Sequence, residues 1–211
     1  MDQKILKVPL YPYQEQGMLH LALNERALLA DDMGLGKTVQ AIAACEWLYQ
    51  TNKIKKVLVV TPASLKGECL EQIEKFTTRA NIVIQETRKD RLKQYQSQAV
   101  FYLANYEQIV VDGAWLQHLL AADVIILDEA QRIKNWQTKT ANAIKKLKSR
   151  YAFVLSGTPL ENRIDDLYSI VQFLDPCLFG PLFRFNRDFY QLDDAGKAVG
   201  YKNLDQLHAR L

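Results

Sequence analysis

The sequence predicts an α/β fold, a mostly parallel sheet between two layers of helices, from three features. Short β-branched runs alternate with amphipathic segments along most of the chain. Several of these runs are apolar at consecutive positions, as expected for strands covered on both faces of a parallel sheet. A glycine-rich turn also joins the first apolar run to an apolar helical pattern. Repeated β-α units of this kind build a three-layer α-β-α domain, expected here over residues 1–174.

The first strand is read at Ala27-Leu28-Leu29, and the helix after the turn repeats Val39, Ile42, Ala43 and Trp47 over about 39–50. Further strands are expected at Val57–Thr61, Ile82–Ile84, Val100–Leu103, Val124–Leu127 and Ala152–Leu155. The helical segments between and after them cover about 64–77, 88–97, 137–148 and 165–174. Residues 175–211 carry Phe179, Phe183, Phe185, Phe189 and Tyr190 with weaker periodicity, and are read as a helical appendage or the start of a connection. The ending His208-Ala209-Arg210-Leu211 has no helix stop, so a longer parent chain is expected.

A composition of 48% hydrophobic and 24% charged residues is that of an ordinary globular domain. A net charge of +3 is too small to impose a polyanion partner, so any nucleic-acid contact must come from a local patch. Cys45, Cys69 and Cys177 are odd in number and lack paired spacing, which argues for reduced thiols and against a disulfide framework. With three scattered histidines, a zinc site is not expected. The start Met1-Asp2-Gln3-Lys4 has no apolar signal core and no run approaches membrane-spanning length, so neither export nor membrane insertion is expected.

The chemistry concentrates at strand ends, where open α/β sheets bind ligands. Leu29-Ala30-Asp31-Asp32-Met33-Gly34-Leu35-Gly36-Lys37-Thr38 places a glycine-rich turn at a helix N-terminus, where free N–H groups and the helix dipole attract phosphate. Lys37 supplies charge for the β- and γ-phosphates and Thr38 a hydroxyl for Mg²⁺. The pattern departs from its usual form at Asp31, where glycine is common. Asp128-Glu129 after another strand suits Mg²⁺ binding by Asp128 and polarisation of an attacking water by Glu129; alone, it would equally suit an acidic helix start. Ser156-Gly157-Thr158-Pro159 follows a third strand and, in isolation, reads as a simple turn.

Taken together, the motifs resemble the opening half of a Swi/Snf-type ATPase of helicase superfamily two, a double-stranded-DNA translocase. The resemblance rests on Tyr11-Pro12-Tyr13-Gln14 with Gly17, the loop ending Gly34-Leu35-Gly36-Lys37-Thr38, and Val59-Val60-Thr61-Pro62-Ala63-Ser64-Leu65. It continues through Leu127-Asp128-Glu129-Ala130-Gln131-Arg132-Ile133-Lys134-Asn135 and Leu155-Ser156-Gly157-Thr158-Pro159-Leu160-Glu161-Asn162, then Asp166-Leu167-Tyr168-Ser169. The family's order is kept over about residues 8–190.

The resemblance implies a RecA-like P-loop lobe that uses ATP and Mg²⁺. ATP would be held by Gln14 at the adenine and by Asp32, Met33, Gly34, Leu35, Gly36, Lys37, Thr38 and Val39. Catalysis would fall to Lys37, Asp128 and Glu129, with Mg²⁺ on Thr38 and Asp128. Gln131 would link the carboxylates to Ser156 and Thr158. Pro62, Ala63, Ser64 and the turn at Asn105-Tyr106-Glu107 would approach a DNA backbone without reading sequence. Where the family often has Trp, this chain has Cys69, and Gln131 stands where His is commoner. The Lys145-Lys146-x-Lys148-x-Arg150 run is read as a solvated helix face, and Trp136 as packing.

The implied partners are double-stranded DNA, a second RecA-like lobe of the same parent protein, and RNA polymerase or another DNA-bound protein as the cargo. Too few residues follow Asn162 to build that second lobe, so little hydrolysis is expected of this chain alone. The implied location is the bacterial cytoplasm, at the nucleoid, or a eukaryotic nucleus. Two other readings compete: a strand-separating helicase lobe, and a non-catalytic interaction module that keeps only the fold. The intact Lys37, Thr38, Asp128 and Glu129 argue against the latter.

Overall fold

The structure, a computed structural model, describes residues 6–32, 34–157, 164–193 and 198–210. Its centre is a six-stranded parallel sheet of β1 (Arg26–Leu29), β2 (Val57–Thr61), β3 (Asn81–Val83), β4 (Phe101–Asn105), β5 (Val124–Leu127) and β6 (Tyr151–Leu155). The strands lie in the order β1-β6-β5-β2-β4-β3. The fold class is the one expected.

Consecutive apolar residues divide between two cores because side chains alternate across a strand. Val57, Val59, Val124, Ile126, Phe153 and Leu155 face α1 (Pro12–Asn24), α2 (Lys37–Gln50) and α3 (Lys66–Phe76). Leu58, Val60, Ile125, Leu127, Ala152 and Val154 face α5 (Tyr106–Leu119) and α6 (Lys139–Lys145), joined by Ile170 and Phe173 of α7 (Ile164–Leu174). The short helix α4 (Arg88–Gln94) follows β3 and is capped by Thr87, which accepts from the Asp90 N–H.

The expected strands are all present, but α5 is a helix that the periodicity did not reveal. Its Ile109, Val110, Val111 and Gly113 depress helix propensity. A capping box offsets this: Asn105 accepts from the Gln108 N–H at 2.8 Å, and Gln108 accepts from the Asn105 N–H at 2.9 Å.

Beyond α7 lie α8 (Leu182–Phe189), an antiparallel hairpin of β7 (Tyr190–Leu192) and β8 (Ala198–Tyr201), and α9 (Leu204–Arg210). The stretch read as helical thus also contains a hairpin. Phe179, Phe185 and Phe189 form a satellite core with Tyr168 and Leu207, whereas Phe183 is 71% exposed.

The strand order sets the spatial order of the loops. Along the carboxyl rim come the glycine-rich loop after β1, Ser156 after β6, Asp128 after β5, Pro62 after β2 and Asn105 at the end of β4. Positions scattered over some 125 residues of sequence thereby form one line.

Candidate nucleotide site

The loop after β1 turns through Gly34 (φ 85°) and Gly36 (φ 69°), both in the left-handed region that glycine adopts without strain. A Cβ at Gly36 would also stand 2.7 Å from Gln14 Nε2, so side-chain space and backbone conformation both demand glycine there. The first intrahelical bond of α2 runs from the Gln40 N–H to Gly36 O, which leaves the N–H groups of Lys37, Thr38 and Val39 without helical acceptors. Lys37 Nζ donates to Asp31 O (2.9 Å) and Asp32 O (2.8 Å), so the ammonium is held inside its own loop.

Gln14 is buried. Its Oε1 accepts from the Tyr11 N–H at 3.1 Å and its Nε2 reaches Leu35 O at 3.4 Å, which ties α1 to the loop. Sequence reasoning overlooked a second such tie, Gln40. That side chain is fully buried and donates to Leu35 O (3.1 Å) and Asp31 Oδ2 (3.4 Å). Its Oε1 occupies the space beside Gly17, where an added Cβ would lie only 1.7 Å away.

Across the rim, Asp128 is anchored on both sides. Thr61 donates to its Oδ2 at 3.2 Å, and Thr38 Oγ1 stands 3.5 Å from its Oδ1. A hydroxyl and a carboxylate brought together this way are the hard oxygen donors that Mg²⁺ takes, so the residues fit that ion. Among the described residues, no group of three or more His, Cys, Asp or Glu could hold a metal by itself. Such a site would therefore complete its shell with phosphate and water.

Burial pushes the Asp128 carboxyl up from 3.8 to about 6, with Glu129 adding to the rise and the Thr61 hydrogen bond opposing it. A raised folded-state pKa means that the charged form costs stability above about pH 6, and that this cost fades as pH falls toward 4. Asp128→Asn keeps the hydrogen-bonding capacity toward both threonines while removing the buried charge. In Mg²⁺-free buffer at neutral pH it is expected to stabilise the chain by on the order of 2 kcal/mol in denaturant titration. The gain should shrink at acidic pH; a destabilised variant would contradict the assigned burial cost.

Glu129 adopts φ 52° and ψ 53°, a left-handed conformation uncommon for a residue with a Cβ. Its Oε2 accepts a short hydrogen bond from Gln131 Nε2, while Gln131 Oε1 is buried with no partner among the described residues. The expected link from Gln131 thus reaches Glu129. Ser156 is buried, and its N–H donates to Leu29 O at 3.1 Å, which closes the end of β6 onto β1. Met33 and Thr158 lie outside the described residues.

Of the expected DNA-facing positions, Ala63 and Ser64 are exposed, Pro62 is buried and Asn105 is half-buried with its side chain engaged in the helix cap. Tyr106 is a correction. Its ring is buried in the core, and its hydroxyl donates to Asp128 O at 2.7 Å, so the side chain points to the nucleotide end and not to solvent. The aromatic ring is drawn inward because Tyr106 opens α5 on the face that packs against the sheet. Lys66 adds a junction the sequence did not reveal: its Nζ donates to Ile84 O (2.6 Å) and Gln108 Oε1 (2.8 Å). Lys145 departs from the solvated-face reading, since its half-buried ammonium donates to Gln172 Oε1 at 2.8 Å. Cys69, where the family often has Trp, is buried in the core beside Ile73.

A model of the SNF2-related domain matches residues 13–211 of the chain. The chain belongs to the SNF2-related family. The chromatin-remodeling ATPase INO80 of Lodderomyces elongisporus is 33% identical over 225 residues, covering 98% of this SNF2-related chain but 14% of that protein. A Sulfolobus solfataricus SWI2/SNF2 ATPase core in complex with dsDNA superposes with a TM-score of 0.86 at 34% identity, over 100% of this chain and 44% of that one. The ATPase core domain from the same organism gives 0.76 at 37% identity, over 87% of this chain and 38% of that one. The SNF2-related chain therefore spans about a seventh of that INO80 protein and less than half of either Sulfolobus core.

Proposed function

We propose that this chain is the nucleotide-binding lobe of an ATP-dependent double-stranded-DNA translocase. The observation that carries the reading is the rim itself. Lys37 and Thr38 stand at one end, Asp128 and Glu129 face them, and the exposed Ala63 and Ser64 follow next along the same edge. The Sulfolobus core that this chain resembles was solved with dsDNA, which favours duplex DNA as the polymer at that edge.

In this reading the triphosphate seats on the free N–H groups of Lys37, Thr38 and Val39. Lys37 exchanges the carbonyls of Asp31 and Asp32 for phosphate oxygens. Thr38 and Asp128 would hold Mg²⁺, which would neutralise charge on the phosphates. Thr61 fixes the Asp128 carboxylate so that its Oδ1 side faces Thr38. Glu129 orients the attacking water and accepts its proton. Gln131, bonded to Glu129 and with its Oε1 unpaired among the described residues, would report the state of that carboxylate to the next strand end. Arginines of a second lobe would complete the site, and their absence costs about 10³–10⁵ in turnover. RNA polymerase or another DNA-bound protein would be the cargo.

The test is Mg-ATP binding and turnover by the purified chain, with and without duplex DNA. Bound nucleotide with negligible turnover is the expected result. No nucleotide binding would favour a non-catalytic interaction module. Rapid turnover would mean that this chain completes the site by itself, and strand displacement would favour a helicase.

A further inference from the structure

Burial of the Tyr106 ring needs no hydroxyl, yet the hydroxyl makes a 2.7 Å bond to the Asp128 carbonyl. That carbonyl belongs to the peptide joining the Mg²⁺-binding residue to Glu129, whose backbone is left-handed. The Asp128 N–H is held too, donating to Val60 O at 2.9 Å. At the far end of the following turn, the buried Ser169 hydroxyl donates to Ile133 O at 2.5 Å. The segment carrying both carboxylates is therefore suspended between α5 and α7. Burial raises the Tyr106 pKa well above its ordinary value, so the hydroxyl stays a donor throughout the physiological range.

Tyr106 is also the first residue of α5, in the turn next to Ala63 and Ser64 on the rim. That turn is braced as one body. Gln108 accepts from the Asn105 N–H and from Lys66 Nζ, and its Nε2 donates to Ile84 O at 3.0 Å. A displacement of this turn moves Tyr106 with it, and the rigid ring carries that displacement to the Asp128–Glu129 peptide.

We propose that Tyr106 is a positioning residue that couples duplex-DNA contact at the amino end of α5 to the geometry of Asp128 and Glu129. The inference rests on the reading of the chain as a DNA-translocating ATPase lobe and assigns the regulation of its nucleotide site.

The experiment measures the affinity of the purified chain for a slowly hydrolysed fluorescent Mg-ATP analogue, with and without saturating duplex DNA. In the native chain DNA is expected to tighten nucleotide binding about fivefold or more, and nucleotide to tighten DNA binding equally. Tyr106→Phe keeps the buried ring and removes the hydroxyl. It should bring the ratio to within about twofold of unity while leaving each separate affinity nearly unchanged. A merely structural role would instead weaken both affinities and keep their ratio. An unchanged ratio in Tyr106→Phe overturns the proposal, as does a native chain that binds both ligands with a ratio of one. Failure to bind nucleotide or DNA at all overturns the underlying functional reading as well. Thermal melts monitored by circular dichroism establish that the variant folds. Gln108→Ala, which loosens the same turn from its outer side, is expected to lower the ratio too, and an intact ratio there would equally count against the coupling.

Discussion

Lys37→Ala is expected to weaken Mg-ATP binding by on the order of 100-fold or more while leaving the unfolding midpoint almost unchanged. Charge-assisted hydrogen bonds are worth about 1.5–3 kcal/mol each, and the ammonium can make two of them to the phosphates. In the nucleotide-free chain the same group only satisfies the loop carbonyls of half-buried Asp31 and exposed Asp32, which water can replace. Binding and stability should therefore separate cleanly. Isothermal titration with Mg-ATP beside a thermal melt checks both halves. Near-native affinity in the variant would mean that the loop does not cradle the triphosphate.

The second large effect is on stability. Gly17→Ala is expected to destabilise the chain by about 2–4 kcal/mol, since overpacking a filled site and breaking buried hydrogen bonds are both costly. The new Cβ would lie 1.7 Å from Gln40 Oε1 and 2.9 Å from Gln40 Cδ, the far end of a side chain that is fully buried. Driving it away breaks its bonds to Leu35 O and Asp31, so the glycine-rich loop loosens along with the α1–α2 packing. For a domain of this size the melting temperature should fall by roughly 5–10 °C. Combining Gly17→Ala with Gln40→Ala should cost less than the two single changes summed, because the clash is gone once the carboxamide is removed. Strict additivity would show that Gly17 acts elsewhere.

The strands were readable because a parallel sheet buried on both faces requires unbroken apolar runs, and Val57–Thr61 and Val124–Leu127 have no other easy reading. The glycine-rich loop was readable for a local reason as well: Gly34, Gly36, Lys37 and Thr38 are neighbours in sequence, and their chemistry depends on one turn. Helix α5 was not readable by periodicity, since its β-branched residues and Gly113 give a weak helical signal; Asn105 and Gln108 were the available clue. The hairpin after α8 was missed because its strands are short, and aromatic residues serve helix and strand cores alike.

The sequence by itself determined the fold class, the family, and the groups we propose to meet phosphate and Mg²⁺, because each of these rests on short-range pattern and residue type. Only the tertiary structure decided which way side chains turn and what they meet across the sheet. Thr61 anchors Asp128 from the neighbouring strand, Gln40 fills the space left by Gly17 on another helix, and Tyr106 points into the nucleotide end of the rim. These contacts join residues 22 to 67 positions apart. They exist because the strand order β1-β6-β5-β2-β4-β3 makes spatial neighbours of chain segments that no local pattern connects.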